Sequence, residues 1–212
     1  MSPFYRLFFL SKREVLALLS ETRDPTQTQK YVSHIFPGIQ SLEFDDLHDA
    51  NAMVSSKGER IPFSSGISTK EAKGCVEKWM LKVESAMKSS VSDIILGSLE
   101  CIGTPTRAEW AQDWPCQGVL VSELINATNL IHEGIKGGNT AMKNVVKKYE
   151  DHQAEIIKVF KSSKDNSTQE IMSMLLQQDL HTKDVVKSLL DQQVVSEKAF
   201  RPAHSNNVFP NR

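Results

Sequence analysis

Few side chains of this sequence could take part in acid–base catalysis, and the best-placed pair is His181 with Asp184. The two residues are one helical turn apart, and an imidazole beside a carboxylate is a common arrangement of a general base. The same spacing at an exposed helix start is more typical of capping or local pairing. We therefore interpret the pair as structural.

Other residue types that carry chemistry are scattered along the chain. The remaining histidines and the three cysteines lack the spacing of metal ligands or of a Cys-x-x-Cys pair; they are His34, His48, His132, His152, His204, Cys75, Cys101 and Cys116. The sequence contains no GxxxxGK[ST], GxGxxG, GxSxG or HExxH motif. It therefore predicts no catalytic, cofactor-binding or metal-ligating residue, no cofactor and no enzymatic activity of its own.

Two further groups could bind a ligand. The acidic run 45–49 could hold a cation, although such a run is more typical of a solvated loop. Trp110 and Trp114, four residues apart on one helical face, could stack on a sugar or base. Since Arg107 is the one basic residue beside them, the pattern favours two core tryptophans.

Bulk composition indicates an ordinary globular protein. The 212 residues carry a formal net charge of −1, with 24% charged and 40% hydrophobic residues. Because acids and bases are interspersed, we expect neither a nucleic-acid nor a membrane partner. No apolar run approaches the roughly 20 residues of a membrane span, and Arg6 interrupts the apolar stretch 4–10 too early for a signal peptide. The cysteine pattern favours a reducing compartment, and hence the cytoplasm.

A long amphipathic helix is predicted between Ser68 and Gly103, and the other elements are placed around it. Ser68 and Glu71 form a capping box at its start, whereas Gly103 and Pro105 end it. Its apolar residues recur at three- and four-residue steps and include Val76, Trp79, Met80, Val83, Met87, Val91, Ile94, Leu99 and Ile102.

Capping and turn signals predict the remaining elements. Before the long helix we expect a short strand or extended segment at 4–10, a helix from the Ser11/Glu14 capping box to about residue 20, a helix at 25–36 and a hairpin within 41–64 that turns at Gly58. After it we expect helices at 116–135, 139–162, 168–178 (begun by a Ser167/Glu170 capping box) and 181–195, with a loop at Gly134–Gly138.

The predicted fold class is mostly α, an antiparallel helical bundle or rod with a small β-hairpin near residues 41–64. The helical domain spans 1–200, with short helices and the hairpin in 1–66 and the bundle in 67–200. A disordered tail covers 201–212.

Several motifs in register resemble one protein family. They are Phe9-Leu10-Ser11, Thr22-Arg23-Asp24-Pro25, Leu42-Glu43-Phe44, Gly58-Glu59-Arg60, Val76-Glu77-Lys78-Trp79, Arg107-Ala108-Glu109-Trp110 with Trp114-Pro115, and His181 with Asp184-Val185-Val186. From about residue 4 to 195, their order and gaps resemble the linker region (N-terminal region 2) of dynein heavy chains. The Arg-Asp-Pro and Glu-Phe blocks are more similar to axonemal than to cytoplasmic chains.

The resemblance implies a mechanical role. In dyneins the linker is a helical rod that crosses the AAA ring and bends and straightens as the ring hydrolyses ATP, which produces a stroke along microtubules. The implied partners are the rest of the heavy chain and its AAA ring, with dynein intermediate and light chains as further candidates. Microtubules would be reached only through the parent motor. The implied locations are the cytoplasm, the cytoskeleton and the ciliary axoneme.

The chain departs from the family pattern at three places. Cys116 stands where the family usually has Gly after Trp-Pro, Asn126 stands where it usually has Trp, and the residues from Arg201 onward differ from the expected continuation. The chain would then stop inside the linker, as a truncated fragment. The alternative is a stand-alone helical scaffold derived from the linker that binds axonemal or dynein partners, and an unrelated enzyme is the third hypothesis.

Overall fold

The structure is a computed structural model that describes residues 4–20, 25–70 and 75–192. The chain divides into two compact units, Met1–Leu96 and Gly97–Arg212, and each is described by itself. The fold is mostly α with a small antiparallel sheet, which confirms the predicted fold class. The boundary between residues 66 and 67 within the helical domain stays a prediction. Within the described residues, no helix combines the length and the apolar character that a bilayer crossing requires.

The first unit begins with short helical elements. A 3₁₀ helix at Tyr5–Phe9 precedes α1 (Lys12–Ser20), and a second 3₁₀ helix at Pro25–Tyr31 leads into α2 (Val32–Ile35). The Ser11/Glu14 capping box is present, since the Ser11 amide donates to Glu14 at 2.8 Å and the Glu14 amide to the Ser11 hydroxyl at 3.3 Å. The segment expected as one helix at 25–36 is therefore helical from 25 to 35, with its first part 3₁₀ and with Phe36 as the non-helical C-cap.

The sheet of the first unit has three antiparallel strands in sequential order. They are β1 (Ile39–Phe44), β2 (Ala50–Ser55) and β3 (Arg60–Ile67). Gly58 takes a φ of +84° in the β2–β3 turn, as expected for the hairpin residue. The predicted hairpin is thus the second half of a larger sheet. The acidic run 45–49 forms the β1–β2 loop, where Asp45 accepts the Leu47 and Asp49 amides at 2.9 and 2.8 Å.

The core of the first unit lies between the sheet and α3 (Val76–Cys101), whose residues to 96 belong to this unit. The Trp79 ring is fully buried and stacks on Phe44 with ring centroids 6.2 Å apart. Other buried members include Leu18, Val32, Ile35, Leu42, Met53, Phe63, Met80 and Val83. The apolar stripe predicted for the long helix therefore packs into the core of the first unit along the first five turns of α3.

The second unit consists of helices. After the end of α3 come α4 (Arg107–Asp113), α5 (Cys116–Ser162) and α6 (Asn166–Asp191). Within α5, Gly138 has φ +75° and ψ −168°, which no helix contains. The chain reverses there, so α5 consists of a first arm (116–137) and a second arm (139–162). The predicted loop at Gly134–Gly138 is therefore too long, because helix continues up to Gly138.

Two element predictions for the first unit are wrong. Residues 4–10 form no strand, because the 3₁₀ helix at Tyr5–Phe9 lets both Phe4 and Leu10 be buried. The long helix does not begin at Ser68, since β3 extends to Ile67 and the Thr69 amide donates to Asp49 Oδ1 at 3.3 Å. Glu71, the predicted capping-box partner of Ser68, lies outside the described residues, as does the predicted tail 201–212.

The last two predicted helices are a single helix, α6. Its N-cap is Asp165, whose carboxylate accepts the Thr168 amide at 2.8 Å, so Ser167 is already inside the helix. The predicted Ser167/Glu170 capping box is therefore wrong. The part of the predicted helix 181–195 beyond residue 192 lies outside the described residues.

Candidate functional site

A buried ionic network in the second unit begins with Arg107, the first residue of α4. The preceding Thr106 closes a capping box with Glu109: its hydroxyl accepts the Glu109 amide, and the Glu109 carboxylate accepts the Thr106 amide at 3.0 Å. This cap fixes the first turn of α4. The Arg107 side chain lies in the interior of the unit and is only 7% exposed.

The Arg107 guanidinium joins α4 to two other helices. Its Nη1 donates to Glu123 Oε2 at 2.6 Å, and its Nη2 donates to Asp179 Oδ1. Glu123 lies on the first arm of α5 and Asp179 on α6, and both carboxylates are fully buried. One planar fork of N–H donors therefore connects three helices, which a lysine could not do in the same geometry.

Neighbouring side chains complete the network around Glu123. The Tyr149 hydroxyl, on the second arm of α5, donates to Glu123 Oε1 at 3.0 Å, and Asn126 Nδ2 lies 3.4 Å from Oε2. Both oxygens of Glu123 are thus engaged. In contrast, Asp179 Oδ2 and Arg107 Nε have no hydrogen-bond partner within the described part of the chain.

The network contains two acids and one base, so it would hold excess negative charge if both carboxyls were ionised. Burial raises the pKa of Asp179 to about 7; Arg107 opposes this shift and Glu123 adds to it. Burial disfavours the charge of Arg107, but the two carboxylates outweigh it and raise the pKa of the guanidinium. Asp179 is therefore the group that takes up a proton near neutral pH.

Two neighbours of the network are held neutral. Burial, and then the charge of Glu123, raises the pKa of the Tyr149 phenol far above its usual value. Burial, and then the nearby Arg107, lowers the pKa of His152 to about 4. The His152 ring packs edge-on against Tyr149 with centroids 5.5 Å apart, and its Nδ1 is buried without a partner among the described residues.

This arrangement connects α4, α5 and α6 and is structural in character. Separating Arg107 from either acid would leave an uncompensated charge in the interior, which is unfavourable, so the three side chains hold the helices together. An apolar cluster of α4, α5 and α6 lies in the same unit and includes Trp110, Val119, Ile156, Met172 and Leu175. The network thus adds directional contacts to a non-directional core.

The sequence places Arg107 in a family motif without assigning it a role, and it does not identify Glu123 or Asp179. The signal that was available is an acidic residue spaced four positions from apolar core residues of the same helix. Glu123 lies between the buried residues Val119 and Ala127 at four-residue steps, and Asp179 follows buried Leu175 in the same way. An acid on an apolar helix face requires a buried partner.

The tryptophans and the His181/Asp184 pair, which the sequence suggested as candidates, make no hydrogen bond to this network within the described residues. Trp110 is buried and its indole N–H donates to the Ser98 carbonyl at 2.9 Å. Trp114 is the C-cap of α4 in extended conformation, so the two tryptophans do not share a helical face as expected. His181 and Asp184 are exposed in the middle of α6, not at a helix start.

Comparisons with known proteins agree with the resemblance. A family model described as "Dynein heavy chain, N-terminal region 2" matches residues 2–98. Dynein axonemal heavy chain 12 of Rattus norvegicus is 36% identical over 198 residues, which is 93% of this chain and 6% of the relative. Dynein axonemal heavy chain 3 of Mus musculus is 33% identical over 178 residues, which is 84% of this chain and 4% of the relative. Dynein axonemal heavy chain 1 of Mus musculus is 32% identical over 199 residues, which is 94% of this chain and 5% of the relative. The chain therefore spans only about a twentieth of the length of these curated relatives. It belongs to the dynein heavy chain family and corresponds to a stretch of the N-terminal region.

Proposed function

We propose that this chain is part of the mechanical linker of an axonemal dynein heavy chain, the lever element of an ATP-driven microtubule motor, and that it carries no nucleotide site of its own. Its partners would then be the rest of the heavy chain and the AAA ring, with intermediate and light chains as further candidates. Its location would be the ciliary axoneme, within the cytoskeleton. The names of the axonemal relatives support the location and the motor.

The observation that carries the proposal is the Arg107 fork to Glu123 and Asp179. An element that transmits force must hold its helices in fixed register, and directional hydrogen bonds specify that register in addition to the close-packed apolar core. A buried guanidinium that donates to one carboxylate on each of two other helices sets both the distance and the angle between the helices that it joins. The second unit has such a contact at the junction of three helices.

A chimaeric motor tests this role. Residues 4–192 would replace the matching stretch of a recombinant axonemal dynein heavy chain, and ATP hydrolysis and microtubule gliding would both be measured. We expect the chimaera to glide, and its Arg107→Met variant to hydrolyse ATP while gliding much more slowly. Arg60→Met, which breaks an exposed pair with Glu43, is the matched control and should glide normally. Equal gliding of the two variants would argue against the proposal.

The size of the native polypeptide separates the linker from the stand-alone scaffold. An antibody against residues 76–101 would be used on axonemes of the source organism. A band many times larger than 23.8 kDa would support the linker, and a band near 23.8 kDa would support the scaffold. Binding of a fluorescent ATP analogue to this chain alone would contradict the absence of a nucleotide site.

A further inference from the structure

A cleft of about 240 Å³ opens in the second unit beside the ionic network. Ile102 and Pro105, in the connection between α3 and α4, form an apolar wall together with Trp110. Asn126, Lys148 and His152, from the two arms of α5, also line the cleft. Apolar residues with a few polar groups are the usual composition of a small-ligand site.

The residues that line the cleft favour a flat aromatic guest. His152 offers a partly exposed aromatic ring, and aromatic rings prefer offset or edge contacts with one another, whereas Trp110 is buried and contributes only to the apolar lining. The Lys148 ammonium makes no hydrogen bond or ion pair with the described residues, so it remains available to a π face. His152 is neutral at pH 7, and its imidazole therefore adds no charge.

The charge balance and size of the cleft narrow the guest further. Glu155 also lines the cleft and offsets Lys148, while the Arg107 charge is already taken up by two carboxylates, so the cleft favours a neutral guest. Cavities of about 150 Å³ bind benzene, and a cleft of this volume accommodates a two-ring heterocycle.

We propose that this cleft is a binding site for an indole ring, presented either by a free small molecule or by a tryptophan side chain of a polypeptide. All residues that line the cleft belong to the second unit, and a ligand could bind there whether or not the chain has the proposed mechanical role.

Saturation-transfer NMR on the full 212-residue chain tests the site with two probes, indole and N-acetyl-tryptophanamide. Binding of both probes identifies a tryptophan side chain as an acceptable guest, whereas binding of indole alone identifies a free heterocycle. Asn126→Trp would fill the cleft and should weaken indole binding at least about tenfold. Asn144→Trp adds the same ring at an exposed position of the second arm and should leave the affinity unchanged.

A second variant covers the case in which Asn126→Trp does not fold by circular dichroism. Lys148→Met changes an exposed residue and should weaken indole binding about two- to fivefold, because it removes the cation from the guest's ring. The proposal is overturned if neither probe receives saturation. It is equally overturned if the folded Asn126→Trp chain binds indole as well as the unaltered chain, or if Lys148→Met does not weaken binding.

Discussion

The Tyr149 hydroxyl donates to Glu123 Oε1 at 3.0 Å, although both residues belong to α5 and are 26 positions apart. In an uninterrupted helix they would be about 39 Å apart at 1.5 Å per residue. The contact exists because the chain reverses at Gly138, which brings the two arms of α5 side by side. A buried cluster that includes Ala127, Ile135, Met142, Val145 and Tyr149 fills the space between the arms.

The first prediction concerns this reversal. Gly138 combines φ +75° with ψ −168°, a backbone region that is essentially restricted to glycine. We expect Gly138→Ala to lower the free energy of unfolding by about 1–3 kcal/mol, measured by urea denaturation. Asn139→Ala changes the next, exposed helical residue and serves as control. A stability of Gly138→Ala equal to that of Asn139→Ala would mean that the reversal does not depend on glycine.

The second prediction concerns the Arg107 fork. Arg107→Met keeps most of the side-chain volume but leaves Glu123 and Asp179 buried without a cation, so we expect a loss of about 3–5 kcal/mol in the free energy of unfolding. Arg60→Met removes an exposed pair of similar length and should cost at most about 1 kcal/mol.

A triple variant isolates the reason for that loss. Replacing Glu123 by Leu and Asp179 by Leu in the Arg107→Met background removes the stranded charges and leaves apolar groups of similar size. We expect it to recover part of the lost stability, because the stranded acids are gone although the buried Tyr149 hydroxyl loses its acceptor Glu123. A triple variant as unstable as Arg107→Met would show that the packing around Arg107, not its charge, is what matters.

Local signals in the sequence predict much of the fold. The Ser11/Glu14 capping box, the glycine turn at Gly58 and the helical stripe through Trp79 and Val83 depend on neighbouring residues only, and they are confirmed. The predicted start of α3 is wrong because Ile67 pairs with Ala50 in the sheet. This long-range pairing places Ser68 directly after a strand. Such pairing is not visible in a local pattern.

The candidate site shows the same limit. The predicted helices 168–178 and 181–195 leave a gap at residues 179–180, at the end of the polar run Gln177, Gln178 and Asp179, whereas the structure has one continuous helix there. Asp179 is nevertheless a core residue, since Arg107 from 72 positions away pairs with it. The spacing of a charge on an apolar helix face can suggest that it is interior, but its partner, here 72 positions away, is not visible in the local pattern.

The third prediction concerns pH. The folded-state pKa of Asp179 is raised from 3.8 to about 7, so the folded chain binds more protons than the unfolded chain between these values. The stabilisation due to Asp179 is therefore present below about pH 4 and is lost as the pH rises to about 7. We expect the stability of the unaltered chain minus that of Asp179→Asn to fall across this interval, by up to about 1.4 kcal/mol per pH unit.

His152 acts in the opposite direction, because its folded-state pKa is lowered from 6.5 to about 4. Its neutral form is favoured by folding, so its contribution rises with pH between about 4 and 6.5. The two slopes oppose one another in the unaltered chain, and His152→Gln should reveal the descending slope of Asp179. Parallel pH profiles for the unaltered chain, Asp179→Asn and His152→Gln, measured by urea denaturation, would rule out both assignments.

The fourth prediction concerns Gly97, a helical residue of α3 that lies against Trp114. A Cβ at this position would lie 2.7 Å from Cη2 and 3.1 Å from Cζ3 of the Trp114 ring. In an exposed helix, Gly→Ala stabilises by about 1 kcal/mol, but here the rigid ring would have to move. We therefore expect Gly97→Ala to lower the melting temperature. The double variant Gly97→Ala with Trp114→Leu should melt above Trp114→Leu alone, because the smaller side chain makes room and the helix gains its usual preference for alanine. If Gly97→Ala raises the melting temperature in the presence of Trp114, the indole ring is not held against α3, and its interpretation as a core residue is wrong.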